Sequence, residues 1–208
     1  MIELAIDCSR ASSMAIQCDD GTFSLDSLEF GRSSDRDFLP CLKSFLKEHG
    51  LDIGDVQGWT IGTGPGSFAG IRFSLALVKG ICTVTHAKAR GIASSYAIVK
   101  AIVKPQRSVC VLQNARCGKL FVSCYNVVEG RCIQIGTPSM LDAAEAPTNY
   151  DFYCTPDPEL QEVLKGVIPA ELAVVPQPTA KHLLNAPDTD WPWLDTPDVE
   201  PIYVRPPA

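Results

Sequence analysis

The sequence predicts an α/β protein built from two related halves. Three observations predict it. Ile2, Leu4, Ile6 and Cys8 alternate at the strand period of two. Phe68, Ile71, Leu75, Val78 and Cys82 recur at helical spacing. The opening order of strand, turn, strand, glycine turn and strand then returns from Val109 onward, at a period of about one hundred residues, far longer than that of a solenoid.

The elements follow in order. Met14–Cys18 reads as a second strand, Asp19-Asp20-Gly21 as a tight turn and Thr22–Leu25 as a third strand, so the chain opens with a meander. Ser34 and Asp37 resemble a capping box. Phe38, Leu39, Cys41, Leu42, Phe45 and Leu46 then form a helical stripe ending at Gly50, in which Pro40 is expected to cost a backbone bond and bend the helix. Gln57–Gly62 is a buried-strand pattern, followed by the turn Gly62-Thr63-Gly64-Pro65-Gly66-Ser67 and the helix from Phe68 to Cys82. A short strand over Ala89–Ile92 leads to a helix capped by Ser94 and running to about Val103, and Pro105 closes the first half.

In the second half, strands are expected at Val109–Gln113, Leu120–Val127 and Arg131–Gly136, with Asn114–Lys119 as a turn. Ile6-Asp7-Cys8 and Gln113-Asn114-Ala115 occupy equivalent points of the repeat. Beyond Pro138 dense proline allows only short elements, at Asp151–Cys154, Glu159–Leu164 and Leu172–Val175, so the second copy is reduced. The expected divisions are 1–104, 105–190 and a C-terminal segment, 191–208, docking back on the body.

Composition narrows the function classes. A chain of 208 residues buries roughly 70% of its extended surface on folding and needs no staples. Apolar stretches are interrupted before the roughly 20 residues of a membrane span, and the Met1–Asp7 opening lacks a basic leader, so a cytoplasmic chain without membrane contact is expected. Nine cysteines, an odd number with no C-x-x-C pair, and three histidines give neither a zinc pattern nor a disulfide framework. The net charge of −6 argues against a protein that grips nucleic acid unaided.

Two places could carry chemistry. Asp7 ends a buried strand before Ser9, Arg10, Ser12 and Ser13, and is either a nucleotide or Mg²⁺ contact between the halves or a cap on its own turn. Gly64, Gly66 and Gly70 surround a strand-to-helix turn whose amides, with Ser67, could meet an anion. The spacing matches neither the P-loop nor the dinucleotide fingerprint. Ser67 lacks the glycine spacing of a nucleophile elbow, and no histidine is placed as its base. The Phe68–Cys82 helix is apolar over too wide an arc for one sheet to cover. Arg72 on that helix is expected to pair with a carboxylate or carbonyl, within the fold or across an interface.

The run Gly62-Thr63-Gly64-Pro65-Gly66-Ser67-Phe68-Ala69-Gly70-Ile71-Arg72 resembles the G-x-G-P-G-S-F-T-G-x-R signature of the bacterial TsaB (YeaZ) family. The flanks agree: Ile2–Asp7 is similar to its opening strand, Phe38-Leu39-Pro40 to its L-L-P helix, Asn114-Ala115-Arg116-Cys117-Gly118 to its D-A-R-x-G turn, and Glu200-Pro201-Ile202-Tyr203-Val204-Arg205 to its E-P-x-Y-x-R close. Ala69 stands for the usual Thr, Asn114 for Asp and Ser34 for His. The resemblance implies an actin-like (ASKHA, ribonuclease H-like) fold with two duplicated subdomains, paralogous to the TsaD and Kae-type proteins. It further implies a non-catalytic scaffold of the complex that makes threonylcarbamoyladenosine in tRNA. TsaD would be the catalytic partner, a TsaE-like ATPase a further member, and tRNA would be met only through the complex. The chain would hold no cofactor alone, with ATP or ADP and Mg²⁺ belonging to the complex interface. Family members dimerise through two N-terminal helices, which here places partner contacts on Phe38, Leu42, Phe45, Phe68, Ile71, Arg72, Leu75 and Val78, and allows a homodimer when TsaD is absent. The alternative is an ATP-dependent phosphotransferase of the same fold class using Asp7, Gly64, Gly66 and Ser67. A peptidase has no triad, zinc motif or Cys/His pair to rest on.

Overall fold

The computed structural model describes residues 1–18, 21–25, 37–102, 107–175, 179–194 and 199–204. The expected Asp19-Asp20 turn, Ser34 capping box, Val103 helix end, Pro105 stop and Arg205 lie outside these residues. Two compact units are present, Met1–Ser94 with Thr179–Pro201, and Ser95–Pro178 with Ile202–Ala208. The division falls at the start of a helix, ten residues before the position expected from sequence, and 179–190 belongs to the first unit.

The first unit is a five-stranded sheet of β1 (Glu3–Asp7), β2 (Ser13–Cys18), β3 (Gly21–Leu25), β4 (Gly58–Gly62) and β5 (Lys88–Ile92), in the order β3-β2-β1-β4-β5. The first three form an antiparallel meander, and β4 and β5 add in parallel beside β1. β1 and β4 are buried along their whole length, although β1 alternates in sequence, with Glu3 and Asp7 standing between apolar residues. Helices α1 (Phe38–Glu48) and α2 (Phe68–Thr85) belong to this unit. Pro40 costs α1 no backbone bond. That helix starts at Phe38, so Pro40 sits in the first turn, where its missing N–H has no intrahelical acceptor to lose.

The second unit repeats the topology with β6 (Arg107–Arg116), β7 (Lys119–Val128), β8 (Arg131–Asp142), β9 (Phe152–Thr155) and β10 (Leu172–Val174), in the order β10-β9-β6-β7-β8. Here too the first three strands are an antiparallel meander and the last two add in parallel. Helix α3 (Ser94–Ile102) opens this unit, while α4 (Leu160–Val163) is a single turn where the first unit carries the 18 residues of α2. The second copy thus keeps all five strands and is reduced in its helices.

Two sequence expectations are corrected in this unit. The residues 114–116 continue β6, leaving only Cys117 and Gly118 as the hairpin turn. Strand β8 also runs past Pro138 to Asp142. It is tolerated because β8 is an edge strand and its register slips opposite Ser123, between Val122 and Cys124, so no ladder bond needs the proline nitrogen.

Candidate functional site

Asp7 and the glycine turn meet in the first unit. The Asp7 carboxylate is buried, and its Oδ1 accepts a hydrogen bond from the Ser9 amide at 2.8 Å. Burial raises its pKa above the ordinary carboxylate value, against hydrogen bonds from Ser9 and Ser94 and the nearby Arg10 charge. In the second unit, Asn114 Oδ1 accepts from the Arg116 amide at 2.8 Å, the same two-residue cap at the equivalent point of the repeat. An amide oxygen suffices there, so Asn serves in place of Asp.

The turn amides are largely spent within the chain. Gly64 N–H donates to the Ser94 hydroxyl at 3.0 Å, Ser67 N–H to the Ser9 carbonyl at 2.5 Å, and Gly70 N–H to the Ser67 hydroxyl at 3.3 Å. Gly66 and Gly70 exist for close packing, because a Cβ on the former would strike the Ser9 carbonyl and one on the latter the Cys8 carbonyl. The loop after β1 therefore fills the cradle that an anion would need. This does not fit a phosphate at the turn itself, and Ser67 acts as the N-cap of α2 rather than as a ligand. Among the described residues, no group of three or more His, Cys, Asp or Glu side chains is placed to hold a metal ion.

Helix α2 corrects the expected contact residues. Ile71, Leu75 and Val78 are buried in the first unit's own core together with Ser74 and Cys82, as are Phe38, Leu42 and Phe45 of α1. At roughly 1.5–3 kcal/mol per buried apolar side chain, these residues hold the unit together and cannot turn outward while it is folded. Phe73, on the flank of α2, packs edge-on against Phe38 at 5.3 Å between centroids. The helix has a mean hydropathy of 1.4 over 18 residues, long and apolar enough for a membrane span by composition, but its inner stripe lies in this core.

The opposite face is exposed: Phe68, Ala69, Arg72, Ala76, Gly80, Thr83 and Val84, with Phe68 at 53% and Val84 at 79% exposure. The Arg72 guanidinium stacks 3.7 Å over the Phe68 ring, one helical turn away. The sequence did hold the signal for this face, in the four-residue spacing of Phe68, Arg72, Ala76, Gly80 and Val84.

A buried charge cluster went unread in the sequence. Arg90 on β5, only 1% exposed, donates to Glu3 of β1 at 2.8 Å, to the Thr60 hydroxyl at 2.9 Å, to the Ala186 carbonyl at 2.7 Å and to Asp188 at 2.9 Å. Its guanidinium also lies 4.2 Å from the Trp193 ring centroid. Leu194 pairs with Ala89, which completes the attachment of this late segment to the first sheet.

Two five-stranded sheets of one mixed topology, each a meander extended by two parallel strands, define the actin-like (ASKHA) class of α/β protein. Residues 29–177 match the TsaD family, described as tRNA N6-adenosine threonylcarbamoyltransferase, and the chain belongs to that family, one of tRNA modification. It is similar over 98% of its length to two Pseudomonas aeruginosa structures, each covered over 99%. One is a protein described as similar to peptidase YeaZ, at 19% identity and a TM-score of 0.81. The other is YeaZ itself, at 19% identity and a TM-score of 0.77. At that identity the likeness establishes the YeaZ fold. No curated protein matches the chain significantly.

Proposed function

We propose that this chain is a non-catalytic subunit of a tRNA threonylcarbamoyladenosine-synthesis complex, docking a TsaD-type transferase along the outer face of α2. The observation that carries the reading is that face: Phe68 at one end and Val84 at the other, with Ala69, Ala76 and Gly80 letting a second backbone approach closely. Supporting it, Gly64, Ser67 and Gly70 commit their amides to the chain itself, and Asp7 caps its own turn. Nucleotide with Mg²⁺, a TsaE-like ATPase and tRNA would then be engaged by the assembled complex. Alone, the chain would pair with a second copy through the same face, hiding its apolar surface.

Co-expression with the host's TsaD homologue, followed by size measurement, tests the reading. Phe68→Asp and Gly80→Arg change exposed positions and leave the fold intact. Each should weaken the complex by about 2 kcal/mol, roughly 30-fold, the size of a hot-spot loss in an interface. A Phe68→Asp/Gly80→Arg chain that still held the transferase at the original affinity would refute docking through α2. Micromolar ATP binding with turnover by the isolated chain would favour the phosphotransferase reading instead.

A further inference from the structure

The second sheet carries a thiol pair that the proposed scaffold role does not use. Cys110 on β6 and Cys124 on β7 stand directly opposite each other in the antiparallel register. Opposite residues point to the same face with Cβ atoms about 4.5–5.5 Å apart, a small adjustment from the roughly 3.5–4.5 Å of a disulfide. Both side chains pack in the same hydrophobic cluster on one face of that sheet. Tyr150 packs against the same cluster. Cys124 is half-buried and so within reach of solvent, whereas Cys110 is completely buried.

We infer that Cys124 and Cys110 form a peroxide-responsive dithiol site, in which Cys124 is the attacking sulfur and Cys110 the resolving one. The oxidant is a hydroperoxide. The Cys124 thiolate attacks one peroxide oxygen and the O–O bond breaks. The departing alkoxide or hydroxide takes up the proton lost when Cys124 ionised, leaving Cys124 as the sulfenic acid. The Cys110 sulfur then attacks the sulfenic sulfur, its proton joins the leaving hydroxyl as water, and the S–S bond closes. Two sulfurs are oxidised by one electron each, one peroxide is reduced, and a dithiol reductant reverses the change.

The electrostatics agree with this division of labour. Hydrogen bonds from Cys110 and Tyr150 lower the Cys124 thiol to about 7 against the cost of burial, while the hydrogen bond to Cys124 and burial raise Cys110. At pH 7 such a thiol is about half ionised, against about 3% for an ordinary one, and its weaker intrinsic nucleophilicity takes back about fivefold. A net advantage of about threefold in thiolate reactivity follows.

The test is hydrogen peroxide treatment of the full chain in a Cys117→Ser background, which removes the exposed hairpin thiol. Alkylation and non-reducing peptide mass spectrometry then read the products. The expected product is a Cys110–Cys124 linked peptide lacking a pair of hydrogens and restored by dithiothreitol. Cys124→Ser should abolish the link, and Cys110→Ala should leave a Cys124 sulfenic acid that dimedone traps. Cys124→Ser is a near-isosteric change at a half-buried position and keeps the test readable even should Cys110→Ala unfold. Recovery of Cys124 unmodified while Cys18 or Cys41 is oxidised, or linkage of Cys124 to any cysteine but Cys110, would overturn the assignment.

Discussion

Replacing Arg90 by alanine should destabilise the first unit more than any surface change. Among the described residues the guanidinium is the ion-pair partner of Glu3, and the side chains of this pair are 1% and 6% exposed. Removing it leaves a carboxylate in the sheet interior that keeps the Thr60 hydroxyl but no cation among the described residues, and breaking a buried pair from one side costs about 3–5 kcal/mol. Asp188 contacts the same guanidinium, but its side chain is 70% exposed, so Asp188→Ala should cost only about 0–1 kcal/mol. Urea unfolding followed by tryptophan fluorescence is the assay, because Trp59, Trp191 and Trp193 all belong to the first unit. With a slope near 2 kcal/mol/M, Arg90→Ala should lower the midpoint by about 2 M. Trp193 should also redden at low urea, as the segment it anchors leaves the sheet. The double change Glu3→Leu/Arg90→Met should recover much of the loss, since no buried charge remains. An Arg90→Ala cost below 1 kcal/mol, or an Asp188→Ala cost equal to it, would refute this account of the cluster.

Two glycines on α2 should respond oppositely to alanine. Gly70→Ala sets a Cβ against the Cys8 carbonyl and should cost about 1–3 kcal/mol, whereas Gly80→Ala enters open space and should stabilise by up to about 1 kcal/mol, both read from urea midpoints. Equal effects would contradict the packing of the turn on the loop after β1. Asp7→Asn should flatten the dependence of stability on pH. Because burial raises the Asp7 pKa, the folded state holds that proton more tightly than the unfolded chain. Its contribution is therefore full below the unfolded value of 3.8 and is lost as pH rises through the raised folded value. The variant should gain stability relative to the parent at pH 7 and lose that gain towards pH 3, as measured by thermal unfolding across the range.

Much of the architecture was legible because its signals are local. The two-residue alternation of β1 and the stripe through Phe68, Ile71, Leu75, Val78 and Cys82 mark element types by periodicity. The equivalence of Asp7 and Asn114 shows in position and reappears as the same backbone cap. Where local signals misled, a neighbour decided. Pro138 suggested the end of a strand, yet an edge position with a slipped register accommodates it. The partner contacts expected from α2 were drawn from its most regular apolar stripe, and of that stripe Ile71, Leu75 and Val78 are claimed by the unit's own core while Phe68 stays outside.

The sequence by itself determined the α/β class, the duplication and the glycine turn before α2, because composition, spacing and turn chemistry act over a few residues. Only the tertiary structure decided which face of α2 stays outside, that the Ser67 amide is consumed by the loop after β1 and the Gly64 amide by Ser94, and that Arg90 gathers Glu3, Thr60, Ala186 and Asp188. It alone set Cys110 against Cys124. The reason is physical: burial, ion pairing and strand register are properties of residues brought together across nearly a hundred positions of chain, and no local pattern encodes which of two apolar faces a sheet will cover.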